Sequence, residues 1–289
     1  MQFRPRRSAL YMPGSNARAI DKAKSLDADV VIFDLEDAVA PEAKQTAREH
    51  IIAAVTGGGY GRRELVVRVN GLESELMADD IATMRDIGLD ALLVPKVQRG
   101  EDIERIEGML EGAPEGLGLW AMIESPMAIL NIAEIARTAS RPGGRLACLV
   151  IGPNDLVKDT RAMLDENRTA ALYWLGATVT AARAYGLDVL DGVYNDFKDT
   201  DGFARECRQG RMLGMDGKTL IHPSQIAAAN AAFSPPAEEV QWARRVLAAF
   251  EQPENRGKGV INIDGKMVEL LHAEMATRTV AIADAIEDR

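Results

Sequence analysis

The chain has 289 residues, of which 47% are hydrophobic and 27% are charged, and its formal net charge is −10. This composition is typical of a globular protein with a sizeable core, and the negative charge argues against a general surface for nucleic acid or anionic membrane. Two cysteines without a CxxC spacing argue against a disulfide framework or a zinc site. The apolar runs are far shorter than the roughly 20 residues of a membrane helix. We therefore expect a cytoplasmic protein.

Short apolar runs alternate with longer amphipathic segments over residues 1–232. The candidate strands are 8–12, 29–35, 64–70, 91–96, 117–124, 146–152, 187–191 and 217–222. The candidate helices are 15–26, 41–55, 75–87, 100–111, 126–139, 168–185, 198–213 and 223–232. Eight such units predict an α/β fold, a (β/α)8 TIM barrel, which forms the catalytic domain. A doubly wound open sheet is the alternative, and we favour the barrel because no glycine fingerprint follows the first strand.

Residues 233–289 differ in character from the barrel repeats. After two prolines, "AEEVQWARRVLAAFE" predicts an amphipathic helix, and a second helix is predicted from about Met267 to Ala285. The stretch between them is rich in glycine and polar residues. Because this tail is short for an independent core, we expect an arm or lid that packs on the barrel or on a neighbouring subunit.

Polar residues collect where the predicted strands end. In chain order they are Pro13, Gly14, Ser15 and Asn16, then Asp34, Glu36 and Asp37, Arg68 and Asn70, Lys96, Glu124 and Ser125, Asn154 and Asp155, and Lys218 and His222. The carboxyl ends of the strands carry the active site of a parallel barrel. We therefore expect the three carboxylates of "DLED" to face a polar mouth that they share with Arg68 and Lys96.

Two of these acids form a candidate metal site. Glu124 and Asp155 follow consecutive apolar strands, so their carboxylates are expected to lie side by side. Oxygen ligands without nearby cysteine or paired histidine suit a hard cation, Mg²⁺ above all. The alternative is that each acid caps the helix that follows it or pairs with a basic side chain.

Three basic residues at the rim leave more than one interpretation open. Arg68 is suited to bind a substrate carboxylate in a bidentate fork, or it pairs internally with Asp34 or Glu36. Lys96 is either a Schiff-base lysine or, as we prefer, a partner of the "DLED" acids. His222 is more typical of a packed, hydrogen-bonded histidine than of a catalytic base.

The order of eight segments resembles a known family. The segments are "RRSALYMPGSN", "DLEDAV", "VVRVN", "VPK", "MIESP", "IGPNDL", "GKTLIHPSQI" and "DGKMVE", and the likeness runs from about Arg6 to Met275. They resemble the citrate lyase β-subunit-like proteins of the HpcH/HpaI aldolase superfamily, together with malyl-CoA and citramalyl-CoA lyases. The resemblance implies a Mg²⁺-dependent carbon–carbon lyase on a (β/α)8 barrel, which forms a homotrimer or a hexamer.

The resemblance also implies roles for individual residues. Glu124 and Asp155 would hold the metal, Arg68 would bind the carboxylate of the 2-oxo acid, and Asp264 would act as general acid/base, often in the site of a neighbouring subunit. Pro13, Gly14 and Glu124 are further candidates for substrate contact. The residues expected to order Arg68 and the waters around the metal are Asp34, Glu36, Asp37 and Lys96.

The substrate would be a 3-hydroxyacyl-CoA thioester of the malyl-CoA or citramalyl-CoA type, cleaved to an acyl-CoA and a 2-oxo acid. Two other activities stay open: a malyl-CoA thioesterase on the same site, and a citrate lyase β subunit that acts with an acyl-carrier protein. The stretch "DGVYNDFKDTDG" at 191–202 is similar to one in the stand-alone CoA lyases, which favours the first activity. Basic residues that could meet the CoA phosphates are Arg4, Arg6, Arg7, Arg18 and Lys22.

Overall fold

Eight parallel strands close into a barrel in the computed structural model, which describes residues 4–287. The strands are β1 (Ser8–Pro13), β2 (Val30–Asp34), β3 (Glu64–Arg68), β4 (Ala91–Val94), β5 (Gly118–Ile123), β6 (Leu146–Ile151), β7 (Asp188–Asp191) and β8 (Gly217–Leu220). They pair in chain order, and β1 closes the barrel against β8. The predicted (β/α)8 barrel is confirmed, and each predicted strand is present.

Helices surround the strands. They are α1 (Ala17–Ala23), α2 (Lys44–Gly57), α3 (Met77–Met84), α4 (Gly100–Met109), α5 (Pro126–Leu130), α6 (Ile132–Arg137), α7 (Pro153–Thr160), α8 (Leu172–Ala184), α9 (Thr200–Leu213) and α10 (Ile226–Phe233). Two details differ from the sequence prediction: the helix expected over 126–139 is divided at Asn131, and α7 was not predicted. Across residues 4–287, no helix is both long enough and apolar enough to cross a membrane.

Alternation along the strands separates the interior of the barrel from its outer layer. Successive side chains of a strand point to opposite faces. The interior cluster includes Ala9, Val30, Ile32, Val66, Leu93, Trp120, Met122, Val150 and Leu190. Two residues beyond Ile32, Val66 and Met122 come Asp34, Arg68 and Glu124. The apolar interior therefore gives way to charge at the carboxyl ends of β2, β3 and β5.

Arg6 closes the opposite end of the barrel. Its guanidinium lies 2.7 Å from Glu64 and 2.6 Å from Asp188, at the amino ends of β3 and β7, and 4.9 Å from the centre of the Trp120 ring. Arg7 pairs with Asp29 at 2.8 Å. Arg6 and Arg7 were therefore wrong as candidates for CoA-phosphate contact at the rim, because they lie at the amino ends of the strands and are bound by acids there.

The tail forms a second compact unit. The chain divides into residues 6–233 and a unit that begins at Ser234 and includes Pro5. The second unit contains α11 (Ala237–Glu251), α12 (Leu270–Glu287) and a hairpin of β9 (Val260–Ile263) and β10 (Lys266–Glu269). The hairpin was not predicted, and the last helix begins after it.

The tail also has an apolar cluster of its own, so the expectation that it is too small for a core was wrong. The cluster contains Ala243, Val246, Ile261, Ile263, Val268 and Ala276. These residues come from both helices and the hairpin, which explains why neither helix pattern alone revealed the cluster.

We expect Arg6→Ala to lower the free energy of unfolding by about 3–5 kcal/mol, because Glu64 would be left as an unpaired buried charge. Urea unfolding followed by circular dichroism measures this. Arg18→Ala, at an exposed position on α1, is the control and should change the free energy by less than about 0.5 kcal/mol. Equal effects of the two substitutions would contradict the proposed closing role of Arg6.

Candidate active site

A cavity of about 320 Å³ lies at the carboxyl ends of the barrel strands. Its charged lining residues are Asp34, Asp37, Arg68, Glu124 and Asp155. A wider groove of about 900 Å³ adjoins it and shares Asp37, Glu124 and Asp155 with it. The polar mouth expected from the sequence therefore exists, and four strand ends supply its charges.

Arg68 is bound to two acids of the "DLED" segment. Its Nε and Nη2 donate to the two carboxylate oxygens of Asp34 at 2.7 and 2.6 Å, and its Nη1 lies 2.9 Å from Glu36. The guanidinium carbon also lies 4.9 Å from the centre of the Tyr11 ring. The internal pairing that the sequence left open is thus present, while Arg68 still lines the cavity.

The "DLED" loop is held rigidly by buried polar contacts. Asp34 accepts the N–H groups of Glu36 at 2.8 Å and Ala38 at 3.1 Å. The buried ammonium of Lys44 donates to the carbonyls of Leu35 and Glu36 at 2.6 and 2.7 Å. Asp34 and Glu36 therefore face Arg68, whereas Asp37 is exposed and lines the cavity.

Gly14 supports this loop from the first strand. Its N–H donates to the Asp34 carbonyl at 2.9 Å, and a Cβ at this position would lie only 2.8 Å from the same oxygen. Pro13 pairs with Asp34 in the register of β1 and β2. In the described part of the chain, the two cavities are lined by other residues, so Pro13 and Gly14 lie beside the site.

Lys96 links the "DLED" loop to Glu124. Its Nζ donates to Glu36 at 2.7 Å, and its backbone N–H donates to Glu124 Oε1 at 2.7 Å from a residue with a left-handed φ of 57°. The hydrogen bond to Glu36 raises the pKa of Lys96. A Schiff-base lysine needs the opposite shift, so the preferred pairing of Lys96 with the "DLED" acids is the one that the structure contains.

Glu124 is a buried carboxylate in a strongly negative environment. Burial raises its pKa to about 7, and Glu36 and Asp155 add to the increase, whereas the Lys96 N–H opposes it. Gly152 makes room for it, since a Cβ there would lie 2.4 Å from the Cβ of Glu124. A buried carboxylate with an elevated pKa and neighbouring acids is a favourable place for a cation.

Asp155 stands on the next strand connection, in the first turn of α7. Its carboxylate is about one-third exposed and lies 3.7 Å from Lys158. Among residues 4–287 no group of three or more His, Cys, Asp or Glu side chains could hold a metal ion by itself. Glu124 and Asp155 fit Mg²⁺ nevertheless, because Mg²⁺ is usually held by one or two carboxylates and completes its shell with water and substrate oxygens.

Lys218 lies outside the rim to which its position in the sequence assigned it. It is fully buried, and its Nζ lies 3.1 Å from Asp191 and 2.6 Å from Glu206 on α9. Its neighbour Thr219 lines the cavity instead. The side chain of Lys218 therefore points to the outer layer, because it is adjacent to the inward-pointing Thr219 on the same strand. His222 stacks on Phe197 with 4.5 Å between ring centres and contacts Ser224, as a hydrogen-bonded histidine would.

Sequence reasoning missed the apolar lining of the cavity. These residues are Tyr11, Met122, Ile151, Pro153, Val193 and Ile221. Tyr11 and Met122 could have been found, because each lies two residues beyond an interior residue of its strand, Ala9 and Trp120 respectively. Val193 and Ile221 lie in the connections that follow β7 and β8, where the alternation of strand side chains no longer predicts which way a side chain points.

Asp264 belongs to the tail unit. It occupies the turn between β9 and β10 with a φ of 52°, is two-thirds exposed, and pairs with Arg245. The Asp-Gly turn that the sequence offered as an alternative to a catalytic role is therefore present. A turn and a catalytic role are compatible, since the turn presents the carboxylate to solvent.

Comparisons with known proteins agree with this fold. The family described as HpcH/HpaI aldolase/citrate lyase matches residues 7–223. A "(3S)-malyl-CoA thioesterase" of Cereibacter sphaeroides is 46% identical over 285 residues, which covers 99% of this chain and 97% of the relative. "Citrate lyase subunit beta" of Escherichia coli K12 is 36% identical over 273 residues, covering 92% and 89%.

A solved structure is also similar across nearly the whole chain. It is protein CitE from Mycobacterium tuberculosis in complex with magnesium, acetoacetate and coenzyme A. The TM-score is 0.72 at 28% identity, and the match covers 96% of this chain and 97% of that one.

The elevated pKa of Glu124 predicts a specific pH dependence of stability in EDTA. The folded state keeps Glu124 protonated up to about pH 7, whereas the unfolded state releases the proton near 4.5. Stability should therefore fall as the pH rises between these values. Glu124→Gln cannot ionise, so its advantage over the wild type should be near zero at about pH 4.5 and reach about 3 kcal/mol at about pH 8.

Urea unfolding of both proteins across this pH range measures the difference. Glu115→Gln, at an exposed position, is the control and should follow the wild type. A constant difference between Glu124→Gln and the wild type at every pH would show that Glu124 does not titrate in this range.

Proposed function

The chain belongs to the HpcH/HpaI aldolase/citrate lyase family, and we propose that it is a Mg²⁺-dependent carbon–carbon lyase. Its substrate is a 3-hydroxyacyl-CoA thioester of the malyl-CoA or citramalyl-CoA type, which it cleaves into an acyl-CoA and a 2-oxo acid. The observation that carries this proposal is the pair of acids Glu124 and Asp155 on consecutive strand connections, in one cavity with Arg68.

The charges of the rim support a divalent cation. Lys96 and Arg68 are paired with Asp34 and Glu36. Three further acids, Asp37, Glu124 and Asp155, form no ion pair with Arg68 or Lys96. Lys158, 3.7 Å from Asp155, compensates part of this excess, and a divalent cation would compensate most of the remainder. The solved relative in complex with magnesium supports that choice.

The residues of the chain have distinct roles in the proposed reaction. When bound at Glu124 and Asp155, Mg²⁺ supplies Lewis-acid polarisation of the substrate oxygen that becomes the 2-oxo group. Arg68 holds the carboxylate at that end, while Asp34 and Glu36 fix the guanidinium in place. In cleavage a base takes the proton of the 3-hydroxyl, the C=O of the 2-oxo acid forms as the Cα–Cβ bond breaks, and the electron pair of that bond passes to the acyl thioester as an enolate.

Asp264 is the proposed general acid of the last step. It protonates the α-carbon of the departing acyl thioester, and in condensation it takes a proton from the same carbon. We propose that the protein is a homotrimer or a hexamer in which Asp264 serves the site of a neighbouring subunit. An exposed carboxylate at a hairpin turn is suited to that role.

A malyl-CoA thioesterase on the same site is the second candidate. The relative named "(3S)-malyl-CoA thioesterase" favours it, because 46% identity extends over almost the whole of both chains. Both activities would use the same acids and Arg68, and they differ in the bond that breaks. The products therefore separate them.

Product analysis by mass spectrometry tests the proposal. We expect malyl-CoA or citramalyl-CoA with Mg²⁺ to give acetyl-CoA plus glyoxylate or pyruvate, and no product in EDTA. Asp155→Ala should lower the rate at least about 100-fold. Its control is Asp159→Ala on the same helix, which pairs with the same lysine and should stay within a few-fold of the wild type. Free CoA with malate or citramalate would establish the thioesterase, and cleavage in EDTA would contradict the metal requirement.

Mixed oligomers test the role of Asp264. We expect Asp264→Asn to lose activity but to retain binding of CoA, because the amide keeps the shape of the turn and cannot transfer the proton. Oligomers assembled from Asp264→Asn and Arg68→Ala subunits should regain part of the activity, since some sites would combine an intact barrel with an intact Asp264. Activity that stays at the level of the separate variants, in verified mixed oligomers, would place Asp264 in the site of its own subunit.

A further inference from the structure

The cavity at the rim has two unlike walls. One wall carries Asp34, Arg68, Glu124 and Asp155, from the ends of β2, β3, β5 and β6. Apolar side chains line both walls: Met122 lies 3.9 Å from Arg68 on the first, whereas Val193 and Ile221 come from the connections after β7 and β8, from which no described charged side chain lines the cavity. In a closed barrel of eight strands, the strand four places away lies directly across, so the end of β7 with Val193 faces the end of β3 with Arg68.

The distribution of positive charge in this cavity is equally uneven. Among the described residues that line the cavity, Arg68 is the one cation, and three acids line it besides its partner Asp34. The polar groups on the far side are neutral: Asn195 donates to Asn154 at 2.8 Å, and Thr219 donates to the Asp191 carbonyl at 3.1 Å. Arg68 is therefore the one basic side chain among these lining residues that a substrate carboxylate would meet, and a second carboxylate on the far side would meet none.

The proposed reaction sets the direction of the remaining substituent. If the carboxylate of the 2-oxo acid lies at Arg68 and its C2 oxygen lies on the side of Glu124 and Asp155, two groups on that carbon point away from the charged wall. The acyl thioester must extend to the open mouth, because CoA is larger than the cavity. The other substituent then points to Val193 and Ile221.

We propose that this apolar wall makes Val193 and Ile221 specificity-determining residues, which select a hydrogen or a methyl group on the carbinol carbon and reject a carboxymethyl group. This inference rests on the proposed function and narrows its substrate. Thioesters of the malyl and citramalyl type are accepted, and thioesters of the citryl type are excluded. Val193 is half-buried and Ile221 is 40% exposed, so a carboxylate against this wall would keep part of its hydration, but it would gain no cation there.

Wild-type kinetics and binding test the selection. We expect kcat/KM for citryl-CoA to be at least about 100-fold below that for the better of malyl-CoA and citramalyl-CoA. In calorimetric titrations with Mg²⁺, freshly dissolved oxaloacetate should bind at least about tenfold more weakly than pyruvate or glyoxylate. Cleavage of citryl-CoA as fast as of the other two would overturn this inference and leave the proposed lyase standing. Failure of all three thioesters to react, with no binding of any 2-oxo acid, would overturn both.

A charge placed on the apolar wall should reverse the preference. Val193→Lys is expected to raise the ratio of kcat/KM for citryl-CoA to that for malyl-CoA at least about tenfold, and to strengthen binding of oxaloacetate relative to pyruvate. Val193→Gln is the matched control, since its side chain is also long and polar but carries no charge. Equal ratios in the two variants would show that charge at this wall does not decide the choice of substrate. The wild-type titrations test the selection independently of how well either variant folds.

Discussion

The ion pair between Arg68 and Asp34 joins neighbouring strands at the level where the barrel interior changes from apolar to charged. Taking both groups out of water is costly, and the cost is offset only by good geometry and further hydrogen bonds. Both are present: two parallel N–H···O bonds of 2.7 and 2.6 Å, the contact with Glu36, and two backbone N–H groups on Asp34. Because the pair is neutral in sum, the acids beside it determine the charge of the cavity.

Packing around these acids determines what the cavity can hold. Gly152 lets Glu124 approach the next strand, and the Lys96 N–H occupies one of its oxygens. Lys44 holds the "DLED" loop from below through backbone carbonyls. Asp34, Glu36 and Glu124 are thus positioned by short contacts within the protein itself.

The cavity combines features that two different activities require. A fixed guanidinium and the cation site that we propose on one wall would suit a substrate with a carboxylate next to a hydroxyl, and such an end is shared by substrates of the lyase and the thioesterase. The relatives bear names of both kinds. In our proposal the apolar wall adds a constraint that the charged wall lacks, because it would distinguish substituents by charge and size.

The alternation of apolar and polar residues determined the barrel and most of its charged rim. Strand ends collect at one edge of a parallel barrel, so Asp34, Arg68, Lys96, Glu124 and Asp155 could be assigned to one place before any contact was known. The roles of Asp264 and of the metal acids come from family resemblance and stay predictions, since no pattern within a single chain reveals them.

Only the tertiary structure decided which direction each side chain takes at that edge. Lys218 and Thr219 are neighbours on β8, so their side chains point to opposite faces of the strand. Thr219 lines the cavity, whereas Lys218 points to the outer layer, where Asp191 and Glu206 neutralise it. The partners of Arg6, Glu64 and Asp188, also became known only from the structure, although its place before the first strand already assigns it to the amino end of the barrel. Val193 and Ile221 face the cavity because β7 and β8 close the barrel opposite β3 and β4. Residues far apart in sequence meet only when the barrel closes, and local periodicity carries no information about such meetings.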